Sequence, residues 1–333
     1  MTGLAHSPWT FHGGRVEDAR VRYGGARWLD LSTGINPHAW PTESLLPVDW
    51  RALPDENALK AMEEAAADYF GLSPRHLCAV PGTEIGLRLL GQLLPGPAAH
   101  VAPCYRTHGE MFAQSMVTDA SGIGDHLGTL ILANPNNPDG REIAPDRLIA
   151  RIDAPQTAGH WLIVDEAFTD TSPDISLASA VDNDRRLVIC RSFGKFFGLA
   201  GVRLGFILGP ESLIAQLRAT LGAWPISAAA IAIGHAAYGD RSWIAAMRER
   251  LHADAAALDA VLLRHGLSPI GACPLFRLIE TPDAMALFDR LARRAILTRP
   301  FDSHPRWLRL GLPGSPEALA RLDEALRESL RHG

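Results

Sequence analysis

Five short, uninterrupted apolar runs constrain this chain more than any other feature: Leu77–Val80, Thr129–Ala133, and residues 161–164, 187–190 and 204–208. Runs of this length without in-out alternation predict strands buried on both faces. Helical or loop segments separate them, so a mostly parallel sheet covered by helices follows, the α/β class.

Around that sheet the periodicity changes. Over Glu56–Phe70 the apolar positions Leu59, Met62, Ala66 and Tyr69 fall at helical spacing, with Gly71 placed to end the helix in a left-handed cap. Helical patterns are also predicted over 212–221, in an Ala-rich region over 227–266, over 283–295 and over Pro316–Leu330, with strand-like pieces at 275–278 and 307–310. The opening forty residues carry His12-Gly13-Gly14, Tyr23-Gly24-Gly25 and Asn36-Pro37, and read as an extended arm with turns. With 333 residues the chain exceeds a single core. The expected division is an arm at 1–45, a large domain with the mostly parallel sheet at 46–222, and a smaller α+β C-terminal domain at 223–333 that packs with the arm.

Composition excludes some functions. A formal charge of −5 leaves no basic footprint for nucleic acid. Cys78, Cys104, Cys190 and Cys273 lie far apart without a C-x-x-C pair, so four buried thiols are expected, with neither a metal site nor a disulfide framework. Residues 1–10 show no leader pattern and no window holds eighteen uninterrupted apolar residues, which leads us to expect a cytoplasmic protein with no membrane partner.

The most informative segment follows the fourth run: Ser192-Phe193-Gly194-Lys195-Phe196-Phe197-Gly198-Leu199-Ala200-Gly201-Val202-Arg203-Leu204-Gly205. A lysine among a serine, glycines and an arginine eight residues on suits a tight loop that exposes its backbone around a small anion, although a surface lysine in a glycine-rich turn has the same composition. Asn134-Pro135-Asn136-Asn137-Pro138-Asp139-Gly140 ends the second run, Asp165 ends the third, and Pro81-Gly82-Thr83-Glu84 leads from the first run into a helix whose free N–H groups favour anions.

In this order the pieces resemble the fold type I pyridoxal 5′-phosphate (PLP) enzymes of the class I/II aminotransferase group, over most of the chain. The resemblance implies that Lys195 is the amine that binds the PLP aldehyde and acts in catalysis. It implies that Asp165 pairs with the pyridine nitrogen, Asn137 donates to the phenolic oxygen, and Tyr105 stacks on the ring. Ser192, Arg203 and the Gly82, Thr83 and Glu84 turn would take the phosphate. Tyr105 reads equally well as a core tyrosine. Arg309, in Trp307-Leu308-Arg309-Leu310-Gly311, with Arg299 just before it, would bind the substrate carboxylate as a guanidinium fork.

Within the histidinol-phosphate aminotransferase-like branch, the nearest resemblance is to the threonine-phosphate decarboxylases of cobalamin synthesis. It is carried by His12-Gly13-Gly14, by Ser32-Thr33-Gly34-Ile35-Asn36-Pro37 and by Asn137-Pro138-Asp139-Gly140-Arg141. That likeness implies a lyase acting on L-threonine O-3-phosphate, with His12, Gly34 and Asn36 at the substrate phosphate; a turn histidine is the even alternative for His12. Two positions depart from the aminotransferase pattern: Phe168 stands where a tyrosine often donates to the phenolic oxygen, and Leu53 where a tyrosine often reaches a neighbouring subunit's cofactor. Transamination of histidinol phosphate is the alternative activity. A non-catalytic, aminotransferase-like sensor is disfavoured, because only eleven residues precede His12. The family builds its site at a subunit interface, so a homodimer is expected.

Overall fold

A computed structural model describes residues 8–42, 48–124, 126–157 and 159–330. By compactness the chain divides into two units, Met1–His38 with Glu249–Gly333, and Ala39–Arg248. The expected boundary at 45/46 lies outside the described residues.

The leading segment is more structured than the extended arm its glycines suggest. It forms α1 (Pro8–Phe11), α2 (Val16–Tyr23) and β1 (Leu29–Asp30). The α2 helix has only Ala19 buried, so no apolar stripe announced it; its signal is charge. Glu17 and Asp18 sit in its first turn and Arg20 and Arg22 in its last, complementing the helix dipole, and Arg20 Nη1 reaches Glu17 Oε1 at 2.6 Å.

The larger unit contains α3 (Glu56–Phe70), β2 (Leu77–Val80), α4 (Thr83–Leu93), β3 (Ala98–Val101), α5 (Arg106–Glu110), β4 (Ser115–Thr118), β5 (Thr129–Ala133), α6 (Pro145–Asp153), β6 (Leu162–Asp165), β7 (Leu187–Ser192), α7 (Phe193–Phe196), β8 (Gly205–Leu208), α8 (Glu211–Leu221) and α9 (Ala228–Gly239). Its strands form one seven-stranded sheet in the order β2-β8-β7-β6-β5-β3-β4. All pairings are parallel except those of β8, which runs against both β2 and β7. The strands β2, β5, β6, β7 and β8 are buried along their whole length, as uninterrupted apolar runs require. The runs did not disclose β3 and β4. Ala98, Ala99 and His100 make a weakly apolar strand, and β4 is an edge strand with Met116 and Val117 exposed.

The α3 helix begins at Asp55, whose carboxylate accepts from Ala58 N at 2.8 Å, and ends at Gly71 with φ 74°. Its inner face buries Met62, Ala66, Ala67 and Phe70. The α9 helix packs on this face: a Cβ on Gly234 would come within 2.7 Å of Leu204 Cδ2 and 3.1 Å of Met62 Cγ. For that reason α9 belongs with the larger unit, and the compactness boundary falls at Arg248, not at the expected 222. The Ala-rich region is two helices, α9 and α10 (Arg241–Arg264), parted at Asp240, whose Oδ1 accepts from Trp243 N at 3.0 Å and Ser242 Oγ at 2.9 Å as a helix cap.

Beyond Arg248 the smaller unit holds β9 (Pro269–Ile270), β10 (Phe276–Glu280), α11 (Ala284–Ala292), β11 (Ile296–Leu297), β12 (Arg299–Phe301), β13 (His304–Gly311) and α12 (Pro316–Leu330). An antiparallel sheet runs β12-β13-β10-β9, and β1 pairs in parallel with β11, Leu29 opposite Ile296. Among the described residues no helix is long and apolar enough to cross a membrane.

Candidate active site

Sheet topology decides where the chemistry collects. The C-terminal ends of the parallel strands share one edge, and the register sets Ala133 opposite Asp165, Asp165 opposite Cys190, and Ser192 opposite Gly205. Because β8 runs backwards, its entry (Arg203, Leu204) meets the exits of β2 and β7 on that same edge. One cavity there is lined by Gly82, Thr83, Glu84, Tyr105, Ala133, Asn137, Asp165, Ala167, Phe168, Ser192, Gly194, Lys195, Ala200, Arg203 and Leu204. All of the residues expected to hold a cofactor are therefore brought together within the larger unit. Such an edge is where open α/β sheets bind ligands.

Lys195 sits in α7, directly after β7, half-buried, with its Nζ 5.8 Å from the centroid of the Phe168 ring. Asp165 is buried and accepts from Ala167 N at 3.1 Å; its other oxygen lies 3.0 Å from His108 Nε2. His108 is completely buried, on α5, and sequence reasoning passed over it. Its only sequence signal is its place three residues after Tyr105. A ring nitrogen at the carboxylate fixes the rotamer of Asp165 as a second group fixes a catalytic base.

The loop carrying Asn137 is pinned from both sides. Asn134 Nδ2 donates to Ile143 O at 3.0 Å while Asn134 Oδ1 accepts from Ile143 N at 2.9 Å, and Asn136 Nδ2 donates to Pro103 O at 2.8 Å. The Gly82 turn requires glycine twice over: its φ is +85°, and a Cβ would lie 2.6 Å from Arg203 Nη2. Arg203, itself at φ 56°, donates from Nη1 to Ala200 O at 3.2 Å.

The side chain of Glu84 has a place of its own. Its Oε2 accepts from Thr107 Oγ1 at 2.8 Å and from the Tyr105 hydroxyl at 3.1 Å, and its Oε1 from Arg88 Nε at 3.1 Å. Against the upward push of partial burial, these donors hold the carboxyl below its ordinary range. The Tyr105 phenol is pushed up, by burial first and by Glu84 second.

Behind the cavity the strands alternate to a buried ionic cluster. Asp165 and Ser192 face the cavity, whereas their neighbours Glu166 and Arg191 meet on the other side, Arg191 Nη1 donating to Glu166 Oε2 at 2.8 Å and Nη2 to Asp170. Glu166 also accepts from Ser176 Oγ and Leu177 N, both at 2.7 Å.

The residues expected to bind substrate gather in the smaller unit. Arg299 and Arg309 are direct cross-strand partners. Arg309 is buried, donates to Ser32 O at 3.0 Å, and has its pKa lowered to about 9 by burial and secondarily by Arg299. Arg299 donates to Phe11 O at 3.3 Å, beside His12, which is exposed. Gly14 N donates to Ser32 Oγ at 2.7 Å, which ties the leading glycines to the Ser32-Thr33-Gly34 turn. Gly34 and Asn36 are buried, and Asn36 Oδ1 accepts from His38 N at 2.8 Å. Leu53 is exposed. Of the thiols, Cys78, Cys190 and Cys273 are buried and Cys104 only partly, which corrects the expectation of four buried cysteines: Cys104 lies in the loop leaving β3, at the cavity edge of the sheet.

The cavity thus offers an amine, a buried carboxylate, a tyrosine, an arginine and a helix N-terminus, a set able to hold an aromatic aldehyde that bears a phosphate. A family model described as Aminotransferase class I and II matches residues 120–326. A threonine-phosphate decarboxylase from Sinorhizobium sp is 42% identical over 327 residues, 95% of this chain and 97% of that protein. Another from Pseudomonas aeruginosa is 40% identical over 325 residues, 95% of this chain and 96% of its own length. Among solved structures, histidinol-phosphate aminotransferase from Sinorhizobium meliloti in complex with pyridoxal-5′-phosphate superposes with a TM-score of 0.83 at 19% identity, covering 100% of this chain and 99% of that one, and at such identity it establishes the fold alone. The chain belongs to the aminotransferase class I and II family, the PLP-dependent enzymes of fold type I.

Proposed function

We propose that this chain is a PLP-dependent lyase that removes the α-carboxylate of L-threonine O-3-phosphate as CO2 and releases (R)-1-amino-2-propanol O-2-phosphate, a step of cobalamin synthesis. The observation that carries the reading is the identity to threonine-phosphate decarboxylases, sustained over almost the full length of both chains.

The residues present fit the cofactor. The missing Cβ at Gly82 lets the Arg203 guanidinium lie against the turn, which with the N–H groups of Thr83 and Glu84 and the hydroxyl of Ser192 suits a phosphate, whereas the Gly82 N–H, expected among these donors, is taken by Val80 O at 2.6 Å. Tyr105 supplies an aromatic face, Asn137 a donor, Asp165 a fixed carboxylate, and Lys195 the amine for the aldehyde. When bound, PLP supplies an electron sink for the pair left at the substrate's α-carbon. Asp165, oriented by His108, keeps a proton on the pyridine nitrogen. Arg309, with Arg299 as its strand partner, takes the α-carboxylate, while His12, Gly34 and Asn36 serve the substrate phosphate. Lys195 Nζ, or water, returns a proton to the α-carbon after CO2 departs. The active form is a homodimer in the cytoplasm, a setting compatible with the free thiols Cys78, Cys104, Cys190 and Cys273.

Purified holoenzyme given L-threonine O-3-phosphate should release CO2 with no 2-oxo acid added, and K195A should release none. Strict dependence on a 2-oxo acid acceptor would overturn the decarboxylase reading in favour of transamination. Sedimentation of a fully active monomer would remove the dimer.

A further inference from the structure

The first turn of α4 poses an electrostatic problem. It is the proposed seat of a phosphate, yet its second residue is a glutamate, and a carboxylate in a first turn is itself drawn to the free N–H groups there. An unrestrained Glu84 side chain would compete with the phosphate for those donors and repel it. In the structure Glu84 is turned away, with Oε2 accepting from Thr107 Oγ1 at 2.8 Å and from the Tyr105 hydroxyl at 3.1 Å. Arg88 holds Oε1 at 3.1 Å and is itself held by Glu110 at 2.8 Å.

We propose that the Tyr105 and Thr107 hydroxyls form a restraint that keeps the Glu84 carboxylate off the phosphate seat, and that the same bonds fix the Tyr105 ring against the α4 turn. Thr107 and Glu84 are therefore positioning residues for cofactor binding. The inference rests on the reading that PLP binds this cavity. The geometry favours it over ordinary helix capping, because Gly82 at the N-cap has no side chain and both hydroxyls reach Glu84 from another element, Tyr105 from the N-cap of α5 and Thr107 from its first turn.

Each hydroxyl supplies a hydrogen bond to a charged acceptor, so its loss should weaken cofactor binding by roughly five-fold or more. The distinctive consequence is a change of sign. In a competing-anion scheme, neutralising Glu84 helps once the restraint is gone; in a merely structural scheme, every further substitution adds loss.

The test is spectrophotometric titration of apoenzyme with PLP, together with displacement by inorganic phosphate, for wild type, T107V, T107S, Y105F, T107V/Y105F and T107V/Y105F/E84Q. We expect T107V and Y105F each to raise the PLP Kd, T107S to restore it, and the triple variant to bind PLP and phosphate more tightly than the double. Additive weakening in the triple variant overturns the proposal. If T107V does not fold, as judged by apoenzyme melting, Y105F against Y105F/E84Q gives the same sign test. Failure of the wild type to bind PLP at all would instead overturn the underlying reading, so the two failures are distinct.

Discussion

Replacing Arg191 with methionine would leave the Glu166 and Asp170 carboxylates buried without their cation. Glu166 is fully buried and Asp170 nearly so, and Arg191 is itself only 3% exposed. The attraction lost is large because no water replaces it; removing one partner of such a cluster costs about 3–5 kcal/mol. Ser176 and Leu177 still donate to Glu166, so Asp170 suffers more. In a unit of this size the loss corresponds to roughly 6–20 °C in Tm. The deficit should also depend on pH. Burial already raises the Glu166 pKa, with Arg191 acting against it, and removing Arg191 raises it further. A carboxyl whose native pKa lies above its unfolded value contributes stability below the unfolded value and loses it as pH rises through the native one. The variant should therefore regain ground on wild type as pH falls from neutrality towards the ordinary carboxylate range. Chemical denaturation of both apoenzymes across that range measures it. A deficit below about 1 kcal/mol, or one independent of pH, would refute the claim that this cluster is a dry, mutually dependent set.

The G82A substitution should raise the PLP Kd by about ten-fold or more, since the side chain meets both the φ of +85° and the Arg203 head; unchanged affinity in a spectral titration would remove Arg203 from the phosphate seat. R309M should cut kcat/KM for the phosphorylated amino acid by about a hundred-fold, while Tm holds or rises, because the cation it removes is one that burial and Arg299 already disfavour. A large fall in Tm with activity retained would contradict both halves. Burial pushes the Cys104 thiol up to about 11, leaving about one thiolate in a thousand at pH 8, so alkylation in the native protein should be slow and accelerate about ten-fold per pH unit up to that value; labelling at the rate of a free cysteine would count against it.

Much of the site could be read directly from the chain because it is locally encoded. The Ser192 to Gly205 segment, the Asn134 loop, Asp165 and the Gly82 turn are each a strand end with its following loop, and a buried run of apolar residues announces where such an end must fall. The fold class followed from the same runs by the burial that parallel strands require. What stayed hidden depends on contacts between distant residues. His108 meets Asp165 across 57 positions, and Arg191 meets Glu166 and Asp170 across 25 and 21, pairings that leave no mark in local spacing. The pairing of Arg299 with Arg309 needed the register of two strands. The reversal of β8 was equally invisible, because a run of apolar residues has the same composition in either direction. That reversal brings Arg203 to the cavity edge. The sequence alone determined that these strands are buried, and it singled out the residues that line the cavity at their ends. Only the tertiary structure decided which groups hold those residues in place, since hydrogen bonds and ion pairs depend on separation in space and not on separation along the chain.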